Sequence, residues 1–265
     1  MFQSRHIVIT GGATGLGYAI ADALASQGAR LTLVSRKAEK LEFAAQELRR
    51  CYPDVDVEIR TLDVSDPTAA CEVIGEIAQR RGAIDTLFNN AGVMLEGRFE
   101  DLAAGDFAAV ITTNFLGAVN VARAVLPHLR ASQGRLVNIA SVAGLTGTFG
   151  FTAYGSAKHA LVGFTDCLYY EMLAEGVKVH LVCPAEFETP MVAELDSYRT
   201  PENLRHTNAI PRTPLDTVVA DTLKGLRKER YLIIPGAKAR LVVRALQLFP
   251  TTMRRIGALL VTKRG

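Results

Sequence analysis

Seven short apolar runs alternate with longer helical patterns, and this constrains the fold more than any other feature of the chain. The runs are His6–Thr10, Arg30–Ser35, Asp56–Leu62, Ile84–Asn89, Arg135–Ser141, Lys178–Cys183 and Arg230–Ile234. Most are continuously apolar rather than alternating, which marks strands buried on both faces. Helical periodicity fills the intervals at Leu16–Gln27, Lys37–Cys51, Pro67–Arg81, Ala104–Arg130, Phe151–Ala174 and Leu215–Lys228. Gly28, Gly82, Gly134 and Gly176 fall where helices should stop, and Asp66-Pro67 supplies a cap followed by a first-turn proline. Strand–helix alternation of this length specifies an α/β fold: a doubly wound parallel sheet of about seven strands, the Rossmann arrangement. No linker or repeat divides residues 1–235, so they are expected to form one domain. Residues 236–265 stand apart as a C-terminal extension.

Composition narrows the function. The four cysteines are scattered and form no CxxC pair, as reduced thiols in a cytoplasmic protein would be. The five histidines show no metal-ligand spacing, so no metal is expected. The chain enters a strand almost at once, so no signal peptide is expected. No apolar run approaches the ~18 residues of a membrane span. The net charge of +3 is unevenly spread. No acidic residue follows Glu229, but eight basic ones do; thirty basic residues less these eight leave 22 against 27 acidic ones over residues 1–229, a net of −5. The basic excess belongs to the tail, without the aromatics or motif of a nucleic-acid surface, so no nucleic-acid partner is expected.

Open α/β sheets bind ligands beyond the carboxyl ends of their strands. The first strand runs into Thr10-Gly11-Gly12-Ala13-Thr14-Gly15-Leu16-Gly17. Gly11 suits a tight turn, Gly15 lets a pyrophosphate reach the backbone, and Gly17 lets the helix pack on the sheet with its N-terminus toward the phosphates. Alone, this GxxxGxG spacing also describes a plain glycine-rich turn. The second strand ends at Ser35-Arg36-Lys37. Arg36 can pair with a 2′-phosphate where an acidic residue would repel it, and Lys40 at i+4 is expected on the same face. The bland alternative is a solvated basic helix start, which the helix dipole disfavours. Asp63-Val64, after the third strand, can touch adenine or simply form a turn. Asn89-Asn90-Ala91-Gly92, after the fourth, suits close cofactor approach or an asparagine–glycine turn.

Ser141 closes the fifth strand, and Tyr154 and Lys158 follow in TAYGSAKHA. At i and i+4 the tyrosine and lysine share a helical face. A free phenol, with a pKa of about 10, is a poor acid–base at neutral pH. An adjacent ammonium brings it toward the working range, and Ser141 can donate to a carbonyl oxygen that gains charge.

With these pieces the chain resembles the short-chain dehydrogenase/reductases over nearly its whole length. The matching segments are TGGATGLG, Asp63-Val64, NNAG at 89–92, Asn114 in TTNFLG, Ser141 in NIASVAG, and Tyr154 with Lys158. The resemblance implies a catalytic tetrad of Asn114, Ser141, Tyr154 and Lys158. Tyr154 protonates the ketone oxygen and Ser141 polarises it. Lys158 holds the nicotinamide ribose and lowers the tyrosine pKa, and Asn114 anchors a water relaying protons to Lys158. It further implies NADP(H), through Arg36, held by Gly11, Ala13, Thr14, Gly15, Leu16, Arg36, Lys40, Asp63, Val64, Asn90, Ala91, Gly92, Tyr154, Lys158, Pro184 and Thr189. A homodimer or homotetramer is expected on the same ground. One departure is visible: Ala185 follows Pro184 where the family has glycine, while Thr189 keeps its place for the carboxamide.

GRFEDL (97–102), NFLGAV (114–119), GTFGFTAYGSAK (147–158) and PAEFETP resemble the 3-ketodihydrosphingosine reductase branch. That implies a lipophilic ketone or its alcohol as substrate, selected by a loop at about 187–212. A broad-range reductase for acyl, steroid or retinoid substrates and a non-catalytic NADP-binding module are the alternatives. The tail interleaves apolar residues with arginines, as a membrane-surface segment does. Closing the substrate pocket or packing on another subunit would use the same pattern. Pro250 and Gly257 are expected to break it into short pieces.

Overall fold

The computed structural model describes residues 1–262. The chain runs β1 (His6–Thr10), α1 (Gly15–Ala25), β2 (Arg30–Ser35), α2 (Ala38–Cys51), β3 (Val57–Thr61), α3 (Pro67–Arg81), β4 (Thr86–Asn89), α4 (Ala104–Ile111), α5 (Gly117–Ser132), β5 (Arg135–Ile139), α6 (Thr152–Leu173), β6 (Lys178–Val182), α7 (Pro190–Asp196), α8 (Pro201–Thr207), α9 (Leu215–Arg227), β7 (Leu232–Ile233), α10 (Ala237–Leu248) and α11 (Pro250–Thr262). The strands form one sheet in the order β3-β2-β1-β4-β5-β6-β7, every pair parallel. Chain direction along the sheet reverses between β1 and β4, the switch point at which such sheets open a ligand crevice.

Each strand divides its side chains between two layers. Ile7 and Ile9 of β1 join Leu31 and Leu33 of β2 beneath Ile20, Leu24, Leu41 and Leu223 of α1, α2 and α9. Val8, with Leu87 and Leu136, faces the opposite layer of Ile74, Ile77, Val125 and Leu168 from α3, α5 and α6. Burial on both faces explains why the strands read as continuous apolar runs. A buried amide chain ties the layers together near the site. Asn89 Nδ2 donates to Ala118 O at 2.8 Å and to Asn138 Oδ1 at 3.2 Å, and Asn138 Nδ2 donates to Thr165 Oγ1 at 2.9 Å. β4, β5, α5 and α6 are thereby held in one register.

Asp66 caps α3 as its sequence implies, accepting from Thr68 N and Ala69 N. The single helix expected at Ala104–Arg130 forms, α4 and α5 running on continuously over Ala104–Ser132; three features were not expected, the first being its widening to a π-turn at Thr112–Leu116. Its length and apolarity would suit a membrane span. In this fold Val121, Ala122, Val125 and Leu129 are spent on the core, and α5 packs against α3. The 187–212 loop contains the short helices α7 and α8. Finally, Gly257 does not interrupt the tail: α11 runs through it, and the break falls at Phe249, before Pro250 opens α11.

Candidate active site

The glycine loop is folded back on β4. Thr10 Oγ1 accepts from Asn90 N at 2.9 Å and Ala91 N at 3.0 Å, while Asn90 Nδ2 donates to Thr10 O at 3.0 Å and Gly11 O at 3.3 Å. A Cβ at Gly17 would lie 2.2 Å from Gly11 O, so only glycine lets α1 start this close to the turn. Thr14 makes no side-chain cap to α1, and the first turn carries no acidic residue. The first-turn amides of α1 therefore lack a side-chain cap at the cleft, which fits the anionic pyrophosphate of a dinucleotide.

Most of the expected cofactor residues come together here. Gly11, Thr14, Gly15, Leu16, Arg36, Asp63, Val64, Asn90, Ala91, Gly92, Pro184 and Thr189 all line one cleft with Ser141, Tyr154 and Lys158. Arg36 is half-exposed, 4.0 Å from Asp63 Oδ2, and its guanidinium meets no closer carboxylate among the described residues. Asp63 is held below the usual carboxylate range, first by accepting from the Ser65 hydroxyl and amide and then by Arg36. Two residues expected to contact the cofactor lie outside this lining. Ala13 packs into the core beside Leu16 and Ile20, outside the cleft lining. Lys40 is exposed and also lies outside it. Arg36 precedes α2, which begins at Ala38, so the i,i+4 relation assumed for the two residues does not exist.

The chemical groups sit on rigid elements. Ser141 follows β5, and its Oγ accepts from Ala143 N at 3.1 Å. Tyr154 and Lys158 lie one turn apart near the start of α6, with Lys158 Nζ 5.7 Å from the tyrosine ring centroid. Lys158 Nζ donates to Ile139 O at 2.9 Å. Burial pushes the Tyr154 phenol up to about 12, partly opposed by a hydrogen bond with Ser141. Burial pushes the Lys158 ammonium down to about 8. Burial thus keeps Tyr154 protonated at neutral pH. Asn114 sits in the π-turn, buried behind the cleft. Its Nδ2 donates to Val93 O at 2.8 Å and its Oδ1 accepts from Val93 N at 2.7 Å. The side chain clamps the segment after β4.

The far end of the cleft is apolar. Met191, Ile210, Leu246, Met253, Ile256 and Leu260 bring α7, α10 and α11 into its wall. Ion pairs and a hydrogen bond fasten this wall: Glu186 pairs with Arg199 at 2.6 Å and Arg212 at 2.7 Å, and Glu96 accepts from Thr200 Oγ1 at 2.7 Å. The alanine that replaces the family's glycine is also explained. Ala185 has no positive φ, and its methyl is buried with Val142, Ala239 and Val243, so α10 packs on the atom that glycine would lack. Sequence reasoning missed Thr10, Glu96, Arg199 and His206; the cap-and-proline pairs Thr189-Pro190 and Thr200-Pro201 signalled part of this scaffold.

A doubly wound sheet with an open helix N-terminus at its switch point, and a Ser/Tyr/Lys group beside it, defines a dinucleotide-dependent oxidoreductase site. Comparison with known proteins identifies which kind. The sequence pattern of the short chain dehydrogenase family matches residues 5–200, and the chain belongs to that family. It is 35% identical over 228 residues to the 3-ketodihydrosphingosine reductase of Mus musculus, covering 83% of this chain and 69% of that protein. A short-chain dehydrogenase/reductase from Burkholderia phymatum in complex with NAD superposes with a TM-score of 0.83 at 26% identity, covering 95% of this chain and 96% of that one. A short-chain dehydrogenase from Sphingobium yanoikuyae in complex with NADPH gives 0.78 at 27% identity, covering 98% and 96%. The protein is an oxidoreductase acting on CH–OH and C=O groups.

Proposed function

We propose that this protein reduces a ketone to an alcohol with NADPH, on a lipophilic long-chain substrate such as 3-ketodihydrosphingosine. The observation that carries the reading is the joining of a Ser141/Tyr154/Lys158 group to an apolar cleft walled by α7, α10 and α11. When bound, the nicotinamide supplies a hydride to the carbonyl carbon. Tyr154 gives its phenolic proton to the carbonyl oxygen, and Ser141 donates a hydrogen bond to the same oxygen as it gains charge. A phenol held near 12 by burial is protonated before the reaction, which suits reduction better than alcohol oxidation. Lys158 holds the nicotinamide ribose, Thr189 the carboxamide, and the first turn of α1 the pyrophosphate. Arg36 would pair with the 2′-phosphate, and Asn114 fixes the Val93 backbone in the cleft wall. A homodimer or homotetramer would have Tyr170 and Leu173, both exposed near the end of α6, as apolar contact points. Peripheral membrane contact through the C-terminal helices fits the same substrate class.

The test is NADPH consumption with 3-ketodihydrosphingosine, a medium-chain ketone and a steroid ketone in parallel. The long-chain ketone should give the highest kcat/KM. Preference for the steroid or the short ketone would overturn the substrate class, and turnover of no ketone would overturn the activity.

A further inference from the structure

The C-terminal helices are apolar on two sides. One side closes the cleft through Leu246, Met253 and Leu260. The other meets solvent: Leu241 is 70% exposed, Leu248 72%, Phe249 62% and Leu259 62%. Ile256 belongs to both, lining the cleft while 45% exposed, so the outer apolar surface is continuous with the cleft mouth. Lys238, Arg244, Arg254 and Arg255 are interleaved with it, and none makes an ion pair among the described residues. Arg240 alone is engaged, with Asp221 at 2.8 Å.

An exposed apolar surface needs an occupant. A second copy of the chain is disfavoured by charge. A two-fold contact sets a patch against itself, and this segment has basic residues and no acidic one to answer them. An anionic lipid surface answers both features: its headgroups meet the cations and its acyl boundary takes the apolar side chains. The charge of the whole molecule acts in the same sense. Residues 1–229 carry a net of −5, so an anionic surface repels the body and draws the tail.

We propose that the outer face of α10 and α11 docks the protein on an anionic membrane, with the cleft mouth turned toward the lipid. This deepens the reading of a lipophilic substrate and rests on it for the route of entry. A membrane-resident ketone then reaches Tyr154 past Ile256 without crossing water.

The test is co-sedimentation of the full chain, without substrate, with vesicles of phosphatidylcholine alone or mixed with phosphatidylglycerol. Binding should require phosphatidylglycerol and weaken with salt. Arg254→Ala and Arg255→Ala should each lower the affinity about fivefold. Phe249→Ser should lower it at constant charge, with melting temperature and NADPH affinity unchanged in all three variants. Absent binding, or binding indifferent to lipid charge and salt, overturns the proposal. So does a dimer in analytical ultracentrifugation that Phe249→Ser dissociates while vesicles fail to bind. Because no turnover is read, intact vesicle binding beside inactivity on long-chain ketones would count against the substrate reading alone.

Discussion

At the scale of single residues, Tyr154 decides the chemistry. Tyr154→Phe should cut reduction at least about 100-fold, since general acid catalysis is worth roughly 10²–10⁴-fold, while NADPH affinity is retained. Fluorescence titration with NADPH beside steady-state assays separates the two effects, and turnover within tenfold of the parent would remove Tyr154 from the proton's path. The pH dependence follows from the two buried groups. Tyr154, near 12, stays protonated through the accessible range, whereas Lys158, lowered to about 8, loses its charge as pH rises past that value. The kcat/KM for reduction should therefore fall above about pH 8; a profile flat to pH 10 would show that the Lys158 charge is not needed. Arg36→Asp should shift cofactor preference toward NADH by placing like charge against the 2′-phosphate, read as the ratio of kcat/KM values. Arg36, Ser141, Tyr154 and Lys158 were legible because each ends a strand or shares a helix turn. Spacing does not reveal where a helix begins or which way a loop methyl points, so the places of Lys40 and Ala13 outside the cleft lining were not legible.

Among the elements, the substrate end was least legible. Thr189-Pro190 and Thr200-Pro201 carry the same cap-and-proline signal as Asp66-Pro67, and both open helices in which threonine caps the first turn. Seven-residue helices show too little periodicity to stand out from a loop. Gly257 was read as a break because glycine lowers helix propensity, yet its role is close packing. A Cβ there would lie 3.0 Å from His206 Nε2, and His206 Nδ1 accepts from Phe149 N at 3.1 Å. Arg205 also reaches across to the Leu260 carbonyl, so α8 and α11 move as one wall. Gly257→Val should push α11 away, at a cost of about 1–3 kcal/mol for overpacking. KM for a long-chain ketone should rise about tenfold with kcat little changed. An unaltered KM would show that this contact does not shape the cleft.

For the whole molecule, alternation of strands and helices identified the doubly wound sheet, and right-handed crossovers leave few orders for its strands. What alternation could not show is the polar content of the sheet interior. His6 and His180 lie on β1 and β6, buried among apolar neighbours. His6 Nδ1 donates to Ala83 O at 3.1 Å and Nε2 bonds Thr32 Oγ1 at 2.9 Å, an arrangement that the neutral ring satisfies in full. His180 Nδ1 donates to Arg230 O at 2.8 Å. Burial, more than any charge nearby, pushes both rings down to about 4. Between their unfolded value near 6.5 and about 4, the unfolded chain binds protons that the folded chain refuses. Stability therefore falls as pH drops through that window and loses nothing more from these two groups below it. Each ring contributes up to about 3 kcal/mol of this loss at pH 4. Melting temperature should decline steeply from pH 6.5 to 4, and His6→Gln should lower it at neutral pH yet make the decline shallower. Equal slopes for parent and variant would mean that His6 is protonated in the fold, and the neutral histidine placed between β1 and β2 would have to be abandoned.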